Sequence, residues 1–337
     1  MAAAFPEVDD LASIPTGDMP GDSVQITEAH LAKVRAVFPV LWDRLASVLD
    51  SAPHGRAVVS VHGGSGVGKS EIGSLLAYGL NAHGIGAYVL SGDNYPRRVP
   101  SVNDAERLRV FRDAGARALA AAGRYDETVR AELAALRAAD QDAAPAQVAG
   151  HPWLPTYLEG GRAALAEYLG TPAEIDFDQI SGLLESFHDG APSLMLKRMG
   201  RAVDELWYEE VDLREVRVIV LEWTHGNSEH LRGVDLPILL NSTPEETLAH
   251  RRSRNRDGGV DSPFTTMVLG IEQEKLHAQA KRAALIVAKS GEVQDYPTYL
   301  AAMGEGGPDA GPMLNVYPDS IGGTLADIAA FLRRPEL

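Results

Sequence analysis

Cysteine is absent from the 337 residues, which excludes disulfides, thiolate metal sites and cysteine nucleophiles and leaves the redox compartment open. Long apolar runs are missing too. No stretch approaches the roughly 20 apolar residues that span a bilayer, and the opening segment MAAAFPEVDDLASIP lacks a basic stretch followed by an apolar one. Neither a membrane partner nor a secretory leader is expected, and cytoplasm is the default. Positive charge is in deficit: 31 Lys and Arg stand against 47 Asp and Glu, a formal charge of −16. Such a field repels nucleic-acid phosphates, so nucleic acid is not an expected partner. What is present is ordinary globular composition, 45% hydrophobic and 23% charged, in a chain long enough to bury a substantial core.

Residues 1–23 are rich in Ala, Pro, Gly and Asp without periodicity and read as a loose or docked arm. Over 27–49, Leu31, Val34, Val37, Leu41, Leu45 and Val48 recur at three- and four-residue spacing, which predicts a helix with one buried face. The run at 57–61 suits a buried parallel strand, a helix should follow from Lys69 to about Gly84, and 87–90 should form the next strand. From about 101 to 172 the chain is largely helical and rich in Ala, Arg and Glu, interrupted by a Pro-containing stretch at 150–155. Its length exceeds a single crossover, so it reads as an inserted helical subdomain. Further strands are expected at 216–221, 236–240 and 284–288. The alternation predicts an α/β fold with a doubly wound parallel sheet.

The phosphate-binding signature is Gly63-Gly64-Ser65-Gly66-Val67-Gly68-Lys69-Ser70, which fits G-x-x-x-x-G-K-[ST] between a predicted strand and a predicted helix. Glycines let the backbone curl around phosphates, so that N–H groups and the helix amino end point at the anion. Lys69 should reach the β- and γ-phosphates of a nucleoside triphosphate, and Ser70 should ligate Mg2+. The loop alone does not separate a kinase from an ATPase, a GTPase switch or an assembly factor.

Other segments bear on that choice. After the second strand comes Ser91-Gly92-Asp93-Asn94-Tyr95. Further on lie Ile175-Asp176-Phe177-Asp178, a strand ending in Glu222-Trp223-Thr224-His225-Gly226, and Pro244-Glu245-Glu246 followed by Arg251, Arg252, Arg254 and Arg256. In this order, from about Val58 to Val293, the chain resembles the uridine kinase and phosphoribulokinase family of P-loop kinases. The resemblance implies a P-loop fold and an enzyme that transfers the γ-phosphoryl group of ATP, with Mg2+, to a hydroxyl of a small metabolite such as a nucleoside, a sugar, a sugar phosphate or a polyol. It implies Asp93 as the group that orients or deprotonates that hydroxyl, Glu222 as a metal residue beside Ser70, and Arg252 and Arg256 as lid arginines over the phosphates. Tyr95, Arg98, Lys197, Arg198, Arg201 and His225 fall where the family contacts its acceptor. The division it suggests is an arm and helix over 1–55, a kinase core from 56–100 and 213–337, and an insert with the acceptor region over 101–212.

Two departures bear on substrate. Trp223 intervenes where the family has Gly directly after the Glu, and the insert is longer than a minimal uridine kinase requires. No Asn-Lys-x-Asp motif occurs, which favours adenine over guanine. Alternatives are an adenylylsulfate kinase-like enzyme, suggested by Asp93-Asn94 and the charged segment 103–112, and a nucleotide-hydrolysing switch. The amino-terminal helix offers a contact surface for a homo-oligomer, a state the sequence leaves open.

Overall fold

Strand β1, Ala57–Gly63, is buried at all seven positions, as its run of Ala and Val requires of a strand covered on both faces. Its parallel neighbours are β5, Val218–Glu222, and β6, Leu236–Leu240. The computed structural model describes residues 3–22, 24–242, 246 and 262–304. Strand β2, Ala87–Ser91, pairs with β5, and β7, Leu285–Val287, pairs with β6, both parallel. The two-residue β8, Val293–Gln294, adds antiparallel to β7 and completes the order β2-β5-β1-β6-β7-β8. The expected doubly wound sheet is therefore present. Strand β8 escapes a periodicity reading because two residues show no alternation.

Register decides where chemistry can occur. Ser91 lies opposite Glu222, and Glu222 opposite Val61, so β2 and β5 end together while β1 runs two residues farther, to Gly63. Ligands bind in the crevice outside such carboxyl ends.

Helices α1, Glu28–Ser51, and α2, Lys69–Ala82, cover one face. In α1 the buried residues Leu31, Val34, Val37, Phe38, Leu41, Leu45 and Leu49 follow the predicted spacing. The arm before α1 is docked: Phe5 is buried and meets Phe38 edge-on, with ring centroids 5.3 Å apart. Gly79 makes room for it, since a Cβ there would lie 2.7 Å from the Phe38 ring and 2.8 Å from that of Phe5.

The expected helical insert consists of α3, Pro100–Ala121, α4, Glu127–Ala138, and α5, Leu154–Tyr168. Helices α3 and α5 approach closely because Gly115, Gly160 and Gly161 sit at their contact. A Cβ on Gly161 would fall 2.5 Å from Phe111, and one on Gly115 2.6 Å from Tyr157. Buried Asp142 closes the insert, accepting two bonds from Arg112 at 2.8 and 2.9 Å and one from the Tyr157 hydroxyl at 2.9 Å. Helix α7, Pro263–Gln279, contributes Met267, Val268 and Ile271 to the same apolar cluster, so the insert packs on the sheet domain through α7. After α5 come α6, Phe177–His188, and an antiparallel hairpin of β3, Ser193–Met199, and β4, Leu206–Asp212. Helix α8, Tyr296–Gly304, follows β8.

Candidate active site

The loop between β1 and α2 has the backbone that its glycines permit. Gly63, Gly66 and Gly68 have φ of 155°, 76° and 96°, values that L side chains adopt only with strain. At Gly63 there is also no space, because a Cβ would lie 2.6 Å from the Leu240 carbonyl oxygen. Gly68 is the N-cap of α2, which begins at Lys69, so the first-turn N–H groups of α2 open toward the loop. The Lys69 ammonium donates to the Gly64 carbonyl at 3.1 Å.

Ser70 and Glu222 are joined directly: the Ser70 hydroxyl donates to Oε2 of Glu222 at 3.0 Å. Glu222 is 3% exposed, and its burial, followed by repulsion from Asp93, pushes its pKa well above the usual carboxylate range. A buried carboxylate facing a second carboxylate and a hydroxyl is a set of hard oxygen donors that a divalent cation would satisfy. Among the described residues no group of three or more His, Asp or Glu side chains converges on a metal site. Ser70 and Glu222 are oxygen donors that could hold a hard cation such as Mg2+, whose other ligands come from phosphates and water.

Asp93 occupies a one-turn 3-10 segment, Gly92–Asn94, directly after β2, and is exposed between buried neighbours. Trp223, the residue that departs from the family pattern, supports this turn from beneath. It is 1% exposed, and a Cβ on Gly92 would fall 2.0 Å from its Cγ. Phe177 and His225 pack on the same indole, with centroids 5.4 and 5.3 Å away. The Asp-Phe-Asp segment runs alongside: the Glu174 carbonyl accepts from Arg97 N–H, and Asp176 N–H donates to the Tyr95 carbonyl. Asp176 caps α6 by accepting from Gln179 N–H, and Phe177 enters the core.

Lys69, Ser70, Glu222 and Asp93 thus share one end of the sheet, as the sequence reading places them. The acceptor-side residues are distributed differently. The Tyr95 ring is fully buried in the core below the turn, so it supports the turn where a substrate contact was expected. Arg98 donates to the Tyr168 hydroxyl of α5 at 3.0 Å. Lys197 is buried and donates to the Pro96 carbonyl at 3.0 Å, while burial lowers its pKa. The Arg198 side chain is 6% exposed. Its nitrogens are engaged by Asp18, the Tyr88 hydroxyl, Glu209 and the Lys197 carbonyl. Arg201 is exposed beyond the end of β3. His225 is half-buried within the field of Glu174, Arg107 and Lys69, and burial pushes its pKa down to about 4, so it stays neutral near neutral pH. Arg252 and Arg256 lie outside the described residues.

Two buried groups at the site were not anticipated. Glu174 is fully buried and accepts from Arg107 at 2.5 Å, from Asn103 at 2.9 Å and from Gly170 N–H at 2.6 Å. It anchors the insert beside the Asp93 turn. Asp18 reaches the other side of that turn from the amino-terminal arm. Apart from Gly170, four residues before Glu174, their partners are distant in sequence, so local spacing does not signal the ion pair of Glu174 or the role of Asp18.

No family model matches the chain. The bifunctional alpha-galactosidase/sucrose kinase AgaSK of Mediterraneibacter gnavus is 38% identical over 255 residues, which is 76% of this chain and 22% of that protein. The chain thus spans about a fifth of the length of the curated relative it matches. Among solved structures, a candidate fructose transport system kinase from Silicibacter sp. TM1040 aligns over 70% of this chain and 94% of its own, at 17% identity and a TM-score of 0.42. A possible uridine kinase from Bacillus stearothermophilus aligns over 73% of this chain and 98% of its own, at 16% identity and a TM-score of 0.33. In sequence, this chain is thus similar to part of a protein named for both an alpha-galactosidase and a sucrose kinase.

Proposed function

We propose that the protein is a kinase that transfers the γ-phosphoryl group of ATP, with Mg2+, to a hydroxyl of a sugar, with sucrose the first acceptor to test. The observation that carries this reading is the junction of the two halves of the site. Ser70 of the phosphate loop is bonded to buried Glu222, which lies in register with Ser91, two residues before Asp93. A pure hydrolase or switch has no need of an exposed carboxylate at that position, whereas a kinase uses one to orient its acceptor.

The sugar assignment comes from the relative's name. Glycosidic cleavage by an α-galactosidase needs no nucleotide cradle, whereas this chain carries one at Gly63 to Ser70, and that favours the kinase half of the double name as the guide to its substrate. A match of 255 residues within 337 takes in positions 83–255 whichever end it omits. It therefore includes the Asp93 turn, the insert, the hairpin and Glu222.

In this mechanism the α2 amino end and Lys69 hold the triphosphate and stabilise charge on the transferring group. Ser70 and Glu222 would hold Mg2+, which supplies charge neutralisation at the phosphate oxygens. Asp93 accepts the proton of the attacking hydroxyl as the new O–P bond forms and ADP departs. We divide the sequence into a kinase core over 56–100 and 213–337 and an insert with the acceptor region over 101–212; of the core, 243–245, 247–261 and 305–337 lie outside the described residues. We place the reaction in the cytoplasm, where ATP is made available.

The test is ADP formation with Mg2+ and ATP across sucrose, fructose, other sugars, sugar phosphates, uridine and adenylylsulfate. Turnover that depends on a sugar supports the proposal. Dependence on uridine or adenylylsulfate alone would reassign the acceptor, and equal hydrolysis with and without every acceptor would overturn the kinase reading.

A further inference from the structure

We propose that Asp18 of the amino-terminal arm is a positioning residue of the acceptor site, holding the Asp93 turn and the β3–β4 hairpin in a fixed relation to each other. This rests on the kinase reading for its functional consequence, though not for its geometry.

The Asp18 side chain is 8% exposed and collects four donors from three elements. Oδ1 accepts from Ser91 N–H at 2.7 Å and from the Asn94 amide at 3.3 Å. Oδ2 accepts from the Tyr88 hydroxyl and from Nη1 of Arg198, each at 2.9 Å. Among the described residues β2 is the edge of the sheet, so no described strand takes the Ser91 N–H on that side; Asp18 takes it. Asp93 lies between Ser91 and Asn94, and both of those residues are fixed to this one carboxylate. Asn94 extends the connection, because its Oδ1 accepts from Met199 N–H of β3 at 3.0 Å.

The hairpin is held through charge. Arg198 is almost wholly buried and needs Asp18 and Glu209 as counter-ions. Charge-assisted bonds of this kind are stronger and more directional than neutral ones. Removing Asp18 would leave a buried guanidinium short of one partner, an arrangement that relaxes by moving the arginine. The adjacent Lys197, bonded to Pro96 just past the Asp93 turn, would move with it. The arm therefore acts on the reaction without touching a substrate, and a displacement of about 1 Å at a reacting group can cost roughly 10²-fold in rate.

The experiment compares the full chain with Asp18→Asn and Asp18→Ala, reading amide exchange and kinetics together. Asp18→Asn keeps the shape of the side chain, so it provides a folded sample if Asp18→Ala does not fold. The expected result is exchange at residues 91–95 and 194–199 faster by about tenfold or more, with the phosphate loop and α2 unchanged. In the same variants kcat/KM for the acceptor falls by about tenfold or more while the KM for ATP stays within about twofold. Unchanged exchange in those two segments, or equal loss of protection across the whole sheet, overturns the proposal. So does an acceptor kcat/KM that stays at wild-type level. If wild-type protein turns over no acceptor, the kinase reading fails, and the exchange pattern alone decides whether Asp18 holds the turn.

Discussion

The phosphate loop gathers its function from eight consecutive residues, Gly63 to Ser70, placed by one strand and one helix. The Asp93 turn on the opposite side of the crevice is held by Asp18, residues 174–176, Met199 and Trp223. A phosphate is recognised by backbone N–H groups, so a short glycine-rich segment suffices and must adopt nearly the same path wherever it occurs. An acceptor is recognised by side chains whose positions depend on packing between remote elements. Substitutions in the first region should abolish chemistry outright, and those in the second should alter acceptor use while leaving nucleotide use intact.

The largest effect is expected at Lys69. Lys69→Ala should lower kcat by about 10³-fold or more, with thermal stability near wild type because, among the described residues, the ammonium donates to one carbonyl, that of Gly64. Asp93→Asn should follow, lowering kcat roughly 10²- to 10³-fold while the KM for ATP changes little. Steady-state kinetics with both substrates varied would check both variants. If Asp93→Asn instead weakened ATP as much as acceptor, the two sides of the site would not be separable.

A smaller effect should come from Gly92→Ala. The added methyl would collide with Trp223, so the Asp93 turn must shift, and acceptor kcat/KM should fall by about tenfold. Trp223→Leu in the Gly92→Ala background should restore part of the loss, a non-additivity that a double-mutant cycle reads directly.

The smallest effect concerns pH. His62 at the end of β1 is fully buried, and neither ring nitrogen has a hydrogen-bond partner among the described residues. Burial, then Lys69 and Arg282, push its pKa down to about 3. The folded protein keeps this ring neutral while the unfolded chain protonates it near about 6.5. Its contribution to stability is thus fully present above pH 6.5 and is lost as pH falls toward 3. His225, pushed down to about 4, acts in the same sense. Melting temperature should therefore decline below about pH 6.5, less steeply in His62→Leu. An equally steep decline in that variant would remove His62 from the account.

The same contrast governs what the sequence discloses. The phosphate loop, α1, the parallel sheet and the helical insert follow from local spacing, and the structure contains each. The strand expected at 216–221 is Val218–Glu222, because Val216 N–H turns back to the Leu213 carbonyl. The family resemblance points to Tyr95, in the Asp-x-aromatic segment, and to Arg198, in the acceptor region, as substrate contacts. Burial turns them inward, Tyr95 into the core and Arg198 onto Asp18 and Glu209. The arm disclosed nothing of Asp18, since an Asp in a stretch of Gly, Pro and Asp has the pattern of any turn. In sequence Trp223 stands out only as a departure from the family pattern, and its purpose becomes visible where Gly92 packs against it.

The central claim is that the phosphate loop and Asp93 serve one transfer reaction, and it is tested most directly by finding where the γ-phosphoryl group goes. Wild-type protein and Asp93→Asn would be incubated with ATP, Mg2+ and sucrose or another sugar, and the sugar recovered for mass spectrometry. The account predicts a singly phosphorylated sugar formed in step with ADP by the wild type and nearly none by the variant. Free phosphate in step with ADP and no phosphorylated sugar, at the same rate in both proteins, would contradict it.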